Sequence, residues 1–306
     1  MKVIFMVMPN FLVIGAAKSG TSSFYNYLKA HPQIYMSPIK EPRFFDLEGE
    51  KINFKGPKDI ELMNKLRYNV NNIDDYMSLF NGVSSEKAIG EASPTYLYSP
   101  KSPAKIRNYI PSVKLIAILR NPIDRAYSNY MMMVRDKRET LSNFKEALSA
   151  EEERIKNNWG PLWHYKNMGF YSIQLKRYLS VFDRSQIKIF LYEDFSSNPL
   201  NIMKETFQFL GVDDNFSPDV SKKFNVSSNK NSNILVKFLY DKKFLRQIIK
   251  QILPLKLKQN LLTSLNQFSK KNISKHLRKD LVLLYKNDIM ELEKIIKRDL
   301  GKWMDI

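Results

Sequence analysis

The sequence predicts an α/β fold, a three-layer sandwich in which a central parallel β-sheet is flanked by helices. Short apolar runs rich in branched residues recur along the chain, as expected for strands that are buried on both faces of a sheet. Segments of helical periodicity separate these runs, and such alternation is typical of right-handed βαβ units. The predicted strands are Phe11–Ile14, Ala88–Gly90, Lys114–Leu119 and Ile187–Tyr192.

The segments between and after the strands carry the helix patterns. Residues 47–70 are polar and lack a clear period, which predicts a surface loop or lid. Regularly spaced apolar residues within Leu281–Trp303 predict a closing helix. No convincing linker is visible, so we expect a single domain over residues 1–306 with a basic helical insertion at about 230–280. The other predicted helices are Thr21–Ala30, Asn72–Phe80, Ser102–Tyr109, Pro122–Asp136, Asn143–Asn158, Tyr171–Phe182 and Leu200–Leu210.

The first predicted strand runs into a loop of small residues. Residues 15–23 read Gly-Ala-Ala-Lys-Ser-Gly-Thr-Ser-Ser, and a helical pattern follows. In such a loop, successive backbone N–H groups and the helix N-terminus point towards an anion, often a phosphate. The triphosphate-binding signature G-x-x-x-x-G-K-[ST] has its lysine directly after the second glycine, whereas here Thr21 follows Gly20 and the lysine is Lys18. This displacement disfavours Mg-ATP hydrolysis and indicates a nucleotide without a 5′-triphosphate.

Four segments in order resemble the motifs of the sulfotransferases that use 3′-phosphoadenosine 5′-phosphosulfate (PAPS). Residues 18–23, Lys-Ser-Gly-Thr-Ser-Ser, resemble the 5′-phosphosulfate loop. Residues 40–46, Lys-Glu-Pro-Arg-Phe-Phe-Asp, and 91–96, Glu-Ala-Ser-Pro-Thr-Tyr, resemble the K-E-x-x-F-F-D and E-K-[ST]-P-x-Y segments of the heparan-sulfate (N- and 3-O-) sulfotransferase-like branch. Residues 115–128 resemble the 3′-phosphate motif, a strand ending in Leu-Arg-[DN]-Pro with a serine eight residues after the arginine. The resemblance covers nearly the whole chain and implies a P-loop-like sandwich of bacterial type.

The resemblance also implies a role for each residue that matches a motif. Lys18 and Glu41 are the implied catalytic residues, with Glu41 as the base that deprotonates the acceptor. The implied nucleotide-binding residues are Lys18, Ser19, Gly20, Thr21, Ser22, Ser23, Arg120, Ser128 and, in a loosely matching basic loop, Lys230. The residues that match acceptor-site segments are Lys40, Arg43, Asp46, Ser93 and Thr95. PAPS is the implied cosubstrate, and no metal is implied.

The residue types suit sulfuryl transfer, in which positioning and electrostatics supply most of the acceleration. A lysine beside the bridging oxygen neutralises the charge that grows there as the bond to sulfur breaks. An arginine fork matches a phosphate, and desolvation raises the pKa of a carboxylate at the edge of an apolar cleft into a useful range for a base. The sequence leaves open a salt bridge from Arg120 to Asp124 or Glu91, and a plain surface pair between Lys40 and Glu41.

Two histidines are alternatives to Glu41, since some small-molecule sulfotransferases use histidine as the base. His31 lies in Ala-His-Pro, which is typical of a structural turn, and His164 has no partner that the sequence identifies. One departure from the family concerns the acceptor. The heparan enzymes have a lysine in E-K-[ST]-P, and this chain has Ala92. Heparan itself is therefore disfavoured as the substrate.

The composition excludes several classes of site and partner. The chain has 306 residues and no cysteine, so disulfides and thiolate metal sites are excluded. Its three widely separated histidines disfavour a zinc centre. The N-terminal apolar run Val3–Met8 is far shorter than the roughly 20 residues of a membrane span and lacks a small-residue cleavage site. We therefore expect a cytoplasmic protein.

The formal net charge of +18 is concentrated in one segment. Residues Lys222–Lys279 contain 15 Lys or Arg residues and one acid, Asp241. This basic segment is either a solvated face or a surface that attracts an anionic glycan or the inner face of an anionic membrane; nucleic acid is disfavoured. Apolar residues at helical spacing within it favour a helix packed on the domain with its basic face outward.

The function that the sequence predicts is PAPS-dependent transfer of a sulfuryl group to a hydroxyl or amine of a glycan, glycolipid or other small acceptor, by in-line attack. A P-loop kinase acting on a small molecule is the alternative enzyme class, disfavoured because no lysine follows Gly20. A basic membrane- or nucleic-acid-binding protein without catalysis, built on a nucleotide fold, is the non-enzymatic alternative. Affinity for PAP, the desulfated product of PAPS, distinguishes these possibilities.

Overall fold

Five parallel strands form the central sheet of the protein, of which a computed structural model describes residues 7–64, 70–221 and 273–306. The strand order is β2-β3-β1-β4-β5, so β1 lies in the middle, between β3 and β4. The parallel sheet flanked by helices that the sequence predicts is confirmed. The strands are β1 Phe11–Gly15, β2 Ile34–Met36, β3 Ala88–Ala92, β4 Lys114–Leu119 and β5 Ile187–Leu191.

Helices connect the strands and cover both faces of the sheet. Short 3₁₀ turns at Pro161–Trp163, Asn167–Gly169, Arg184–Gln186 and Gly301–Met304 complete the described elements. The helices are α1 Thr21–Lys29, α2 Phe44–Leu47, α3 Asp59–Met63, α4 Ile73–Ser78, α5 Ser102–Tyr109, α6 Pro122–Arg135, α7 Phe144–Ser149, α8 Glu151–Lys156, α9 Tyr171–Leu179, α10 Tyr192–Ser197, α11 Pro199–Leu210 and α12 Lys275–Ile296.

The core forms two layers because successive side chains of a strand point to opposite faces. In β1, Leu12 and Ile14 belong to one buried cluster, whereas Phe11 and Val13 belong to the other. The cluster around Phe11 and Val13 is closed by apolar residues of α1 and α11, and the larger cluster around Leu12 and Ile14 by α5, α6, α9 and α12. All five residues of β1 are buried, which explains their continuous apolar pattern.

The structure differs from the sequence prediction at several elements. The three-residue edge strand β2 was not predicted, because so short a run carries no readable period. The helix predicted over Asn143–Asn158 is two helices, α7 and α8, that meet at Ala150. Residues 47–70 are not entirely loop, since they contain α3.

The closing helix extends further towards the N-terminus than its apolar residues indicate. It begins at Lys275 because the hydroxyl of Ser274 accepts a hydrogen bond from the backbone N–H of Leu277 at 3.2 Å and caps the helix. It ends at Ile296, where Lys297 has a left-handed conformation.

Most of the basic segment lies outside the described residues. This applies to residues 222–272, and therefore to Lys230 and to most of the insertion expected at about 230–280. Within residues 7–64, 70–221 and 273–306, no helix combines the length and the hydrophobicity needed to cross a bilayer.

Candidate active site

The predicted site residues collect at one edge of the sheet. All strands of a parallel sheet end at the same edge, and open α/β sheets bind their ligands there. Lys18 follows β1, Glu41 follows β2, Ser93 follows β3, Arg120 follows β4 and Tyr192 follows β5. Arg120 Nη1 donates a hydrogen bond to the carbonyl of Lys18 at 3.0 Å and so joins two of these loops.

The loop between β1 and α1 has the features of an anion cradle. Gly20 is the N-cap of α1 with φ 82°, a left-handed conformation that favours glycine, and it has no side chain to accept from the first-turn N–H groups. A Cβ at Gly20 would lie 3.2 Å from the rings of Tyr192 and Phe195. The hydroxyl of Ser19 is buried and has no hydrogen-bond partner among the described residues. Thr21, Ser22 and Ser23 form the first helical turn, so the loop fits a phosphate.

Lys18 carries its ammonium group into this site without an oxygen acceptor from the described part of the chain. Its Nζ donates to the thioether sulfur of Met132 at 3.2 Å, and a thioether is a weak acceptor. The pKa of Lys18 is lowered to about 8, chiefly by burial and then by the charges of Arg135 and Arg120, which Asp136 and Glu41 oppose. A half-buried ammonium with so weak a partner is suited to bind an anion.

Arg120 occupies the end of the buried strand β4. Its guanidinium lies over the ring of Tyr192, with Cζ 4.6 Å from the ring centroid. The salt bridges that the sequence left open are not formed, because Asp124 pairs with Arg278 at 2.6 Å and Glu91 accepts from Ser93. Within the described residues no carboxylate pairs with Arg120. Its side chain is thus held by a carbonyl and an aromatic ring, and its positive charge is available to a ligand.

Ser128 lies on the face of α6 that is turned towards Lys18. Residues four apart in a helix lie above one another, and the residue four positions after Ser128 is Met132, which contacts the ammonium of Lys18. The side chain of Ser128 is half-buried. The structure therefore brings the implied 3′-phosphate residues, Arg120 and Ser128, to the same side of the sheet edge as Lys18.

Glu41 is paired with its own neighbour. The carboxylate is 2.5 Å from the ammonium of Lys40, with the two side chains 27% and 25% exposed. This is the pair that the sequence left open as an alternative, but it does not remove Glu41 from the site, since the charge of Glu41 raises the pKa of Lys18. The backbone N–H of Glu41 donates to the carbonyl of Ala92 at 3.0 Å, which ties the segment to the end of β3.

The residues expected to line the acceptor site are more buried than the catalytic pair. Arg43 forms an ion pair with Asp46 at 2.9 Å, and both side chains are almost fully buried. The hydroxyl of Ser93 is buried between Glu91 and the backbone N–H of Arg43. One oxygen of Asp46 and the hydroxyl of Thr95 are buried without a partner among the described residues. Lys40 is the most exposed member of this group, at 25%.

Glu91 is a fully buried carboxyl directly below this site. Burial raises its pKa to about 8, the nearby Asp46 raises it as well, and hydrogen bonds from Tyr96, Ser93 and Tyr76 oppose these effects. A carboxylate in an apolar interior is stable only when hydroxyl or N–H groups surround it. Three hydroxyl groups do so here.

The raised pKa of Glu91 predicts a pH dependence of stability. The folded state keeps a proton up to about pH 8, whereas the unfolded chain releases it near the ordinary value of 4.5. The free energy of unfolding is therefore expected to be highest below pH 4.5 and to fall, by on the order of 4 kcal/mol from this group, as the pH rises to 8. Urea unfolding at several pH values, with Glu91→Gln as the reference, measures the contribution of Glu91 to the free energy of unfolding. Parallel pH curves for the two proteins would contradict it.

The two histidines considered as alternative bases have structural roles. The ring of His31 packs 4.6 Å from that of Phe207, its Nε2 bonds to the carbonyl of Asp213 and its Nδ1 to the N–H of Gln33. In His164, Nδ1 bonds to the hydroxyl of Tyr98 at 2.8 Å and Nε2 to a backbone carbonyl at 3.2 Å. Both nitrogens of each ring are engaged in hydrogen bonds within the protein.

Some site residues were not identified from the sequence. Tyr192 supports Arg120, Met132 contacts Lys18, and Arg135 places a second positive charge near that lysine. The sequence did contain a signal for two of them. Tyr192 directly follows a predicted strand at the ligand-binding edge, and Met132 lies four residues after Ser128 on one helical face.

Comparison with known proteins adds a family and a structural relative. The model of a family described as "Sulfotransferase domain" matches residues 8–305. A crystal structure of a sulfotransferase from Alicyclobacillus acidocaldarius superposes with a TM-score of 0.78 and is 36% identical. That match covers 98% of this chain and 100% of the other.

Curated relatives share part of their length with this chain. Bifunctional heparan sulfate N-deacetylase/N-sulfotransferase 4 of Mus musculus is 30% identical over 216 residues, which are 67% of this chain and 22% of the relative. Carbohydrate sulfotransferase 15 of Homo sapiens is 27% identical over 256 residues, which are 67% of this chain and 44% of the relative. The chain thus spans less than half the length of these relatives.

Proposed function

Because this chain belongs to the sulfotransferase family, we propose that it transfers a sulfuryl group from PAPS to a hydroxyl or amine of a glycan or glycolipid. The family assignment agrees with the resemblance read from the sequence, and no observation favours a kinase or a non-catalytic binding protein. The observation that carries the proposal is the pair of cationic groups at the sheet edge. Lys18 and Arg120 have no carboxylate ion partner among the described residues, and their loops are joined by a hydrogen bond of 3.0 Å.

The two cations would serve the two ends of the nucleotide. The loop of residues 18–23 would receive the 5′-phosphosulfate, with the Ser19 hydroxyl and the first-turn N–H groups of α1 as donors. Arg120 and Ser128 would receive the 3′-phosphate, and Lys230 would close over it from the basic segment. Lys18 would neutralise the charge that develops on the leaving oxygen, a form of electrostatic stabilisation in a site with little water.

Glu41 would take the proton of the acceptor as its oxygen or nitrogen attacks sulfur. The charge of Glu41 acts on Lys18, which supports a base that would lie near the group that assists the leaving oxygen. Lys40 would release Glu41 and contact the acceptor, because its ion pair with Glu41 is partly exposed and an exposed pair contributes little stability. Arg43, Asp46, Ser93 and Thr95 would shape the acceptor side of the cleft. The reaction needs no metal in this scheme.

Two of the relatives are named as heparan sulfate and carbohydrate sulfotransferases, which supports a glycan or glycolipid as the acceptor. Ala92 in place of the expected lysine disfavours heparan itself. The basic segment Lys222–Lys279 would attract an anionic acceptor or the inner face of a membrane, in a cytoplasmic protein of one domain. Measuring sulfated products from a panel of unsulfated glycans and glycolipids would identify the acceptor.

Nucleotide affinity tests the proposal directly. PAP is expected to bind more tightly than AMP by on the order of 2–4 kcal/mol, because AMP lacks the 3′-phosphate and leaves the half-buried Arg120 without an anion. Isothermal titration calorimetry measures both affinities. Arg120→Gln is expected to remove the difference, whereas Arg107→Gln, which changes an exposed arginine on α5, should preserve it. Equal affinities of the wild-type protein for PAP and AMP would contradict the assignment.

A further inference from the structure

The segment Glu41–Asp46 has an uncommon backbone conformation. Glu41 and Arg43 have φ values of 62° and 61°, in the left-handed region that residues with a side chain rarely occupy. Such conformations persist where the surrounding structure holds them. The contacts that hold this segment therefore decide where the carboxylate of Glu41 points.

Three alternate backbone N–H groups of the segment donate to the chain at the end of β3. Glu41 N–H donates to the carbonyl of Ala92 at 3.0 Å. Arg43 N–H donates to the hydroxyl oxygen of Ser93 at 3.0 Å, and Phe45 N–H donates to the hydroxyl oxygen of Tyr96 at 3.3 Å. Two of the three acceptors are side-chain hydroxyls, which rotate unless their own hydrogen atoms are engaged.

Glu91 engages the hydroxyl of Ser93. This hydroxyl donates to Glu91 Oε2 at 2.9 Å. With its hydrogen atom directed to Glu91, it presents a lone pair to the backbone N–H of Arg43. Glu91 thus acts on the segment through the side chain of Ser93.

We propose that Glu91 is a positioning residue: through Ser93 it holds the segment Glu41–Asp46 in the conformation that aims Glu41 into the active site. The other groups that face Glu91 are the hydroxyl of Tyr76 on α4, 3.5 Å from Oε1, the nearby Tyr96, and Asp46 on α2, which acts by its charge. Glu91 Oε2 accepts from the Ser93 hydroxyl, whereas a glutamine that places its N–H₂ group at this position has no lone pair there and leaves the hydroxyl without an acceptor for its hydrogen. The inference rests on the proposed function, in which Glu41 is the base.

Amide hydrogen exchange tests the arrangement without any substrate. Glu91→Gln is expected to increase the exchange rate of the Arg43 amide at least tenfold relative to amides in β1. Asp288→Asn is the matched control, because Asp288 is also a buried carboxylate that accepts from a serine hydroxyl, at 2.5 Å from Ser172, but it lies between α9 and α12. The control should leave the exchange of the Arg43 amide unchanged. Unchanged exchange in Glu91→Gln would overturn the proposal.

Kinetics with the fastest acceptor of the glycan and glycolipid panel test the consequence for catalysis. Glu91→Gln is expected to lower kcat at least tenfold at unchanged PAP affinity, and Asp288→Asn to leave both within twofold. In the double variant Glu41→Gln/Glu91→Gln, kcat should be no lower than in Glu41→Gln alone, because the position of a base that is absent has no effect. If kcat of the double variant is lowered by the product of the two single-variant decreases, Glu91 has a general structural role and the inference is overturned.

Ser93→Ala provides a second variant that removes the linking hydroxyl and keeps the buried carboxyl of Glu91. It should lower kcat and leave the acceptor KM unchanged; a raised KM with normal kcat would mean that Ser93 contacts the acceptor and would overturn the inference. The two proposals fail separately. If the wild-type protein neither binds PAP nor transfers a sulfuryl group, the proposed function is wrong. Hydrogen exchange would still test whether Glu91 holds the segment.

Discussion

Glu41→Gln is expected to lower kcat by roughly 10²–10⁴ while the affinity for PAP stays the same. Glutamine keeps the size and hydrogen bonding of glutamate but cannot take up the proton of the acceptor. The proposed nucleotide contacts are the loop of residues 18–23 and Arg120, which this substitution leaves intact. Steady-state kinetics with the panel acceptor and calorimetry with PAP measure the two quantities separately.

A second carboxylate of the same region serves as the control. Glu50 forms an exposed ion pair with Lys101, so Glu50→Gln should leave kcat within about twofold of the wild type. Near-normal turnover of Glu41→Gln would show that the base lies elsewhere. His164 was the next choice from the sequence, but both of its ring nitrogens are hydrogen-bonded in the structure.

Lys18→Ala is expected to weaken both PAP binding and sulfuryl transfer. Its ammonium is the proposed cation of the loop of residues 18–23 and would also stabilise the leaving oxygen, so PAP affinity should fall about 10–100-fold and kcat roughly 10²–10³-fold. Lys29→Ala, at the exposed end of the same helix α1, should change neither quantity. Loss of PAP affinity without any loss of kcat would remove Lys18 from the transfer step.

The lowered pKa of Lys18 adds a pH test to this variant. With a pKa of about 8, the lysine of the free enzyme loses its charge as the pH rises above that value. A bound anion stabilises the charged form, so PAP affinity of the wild type is expected to decrease from pH 8 upwards. Calorimetry between pH 7 and 9.5 should show this decrease in the wild type and a flatter curve in Lys18→Ala.

The sequence alone determined the layers of the fold and the positions of the chemistry along the chain. Buried strands such as β4 read as continuous apolar runs because helices cover both faces, and this pattern needs no tertiary information. The small-residue loop around Gly20 and the arginine at the end of β4 were equally local signals. The strand β2 could not be predicted, because three residues are too few to show a hydrophobic period.

Only the tertiary structure decided which of these residues lie together and how far the pKa of each is shifted. Arg120 had carboxylates within reach in the sequence, but the fold pairs Asp124 with Arg278 on α12, some 150 residues later, and leaves Arg120 to the site. Lys18 and Glu91 look like ordinary charged residues in the sequence, and burial moves the pKa of each to about 8. The segment Glu41–Asp46 is held by hydroxyls about 50 residues away. Burial and long-range pairing are properties of the assembled sheet, because they depend on which loops meet at its edge.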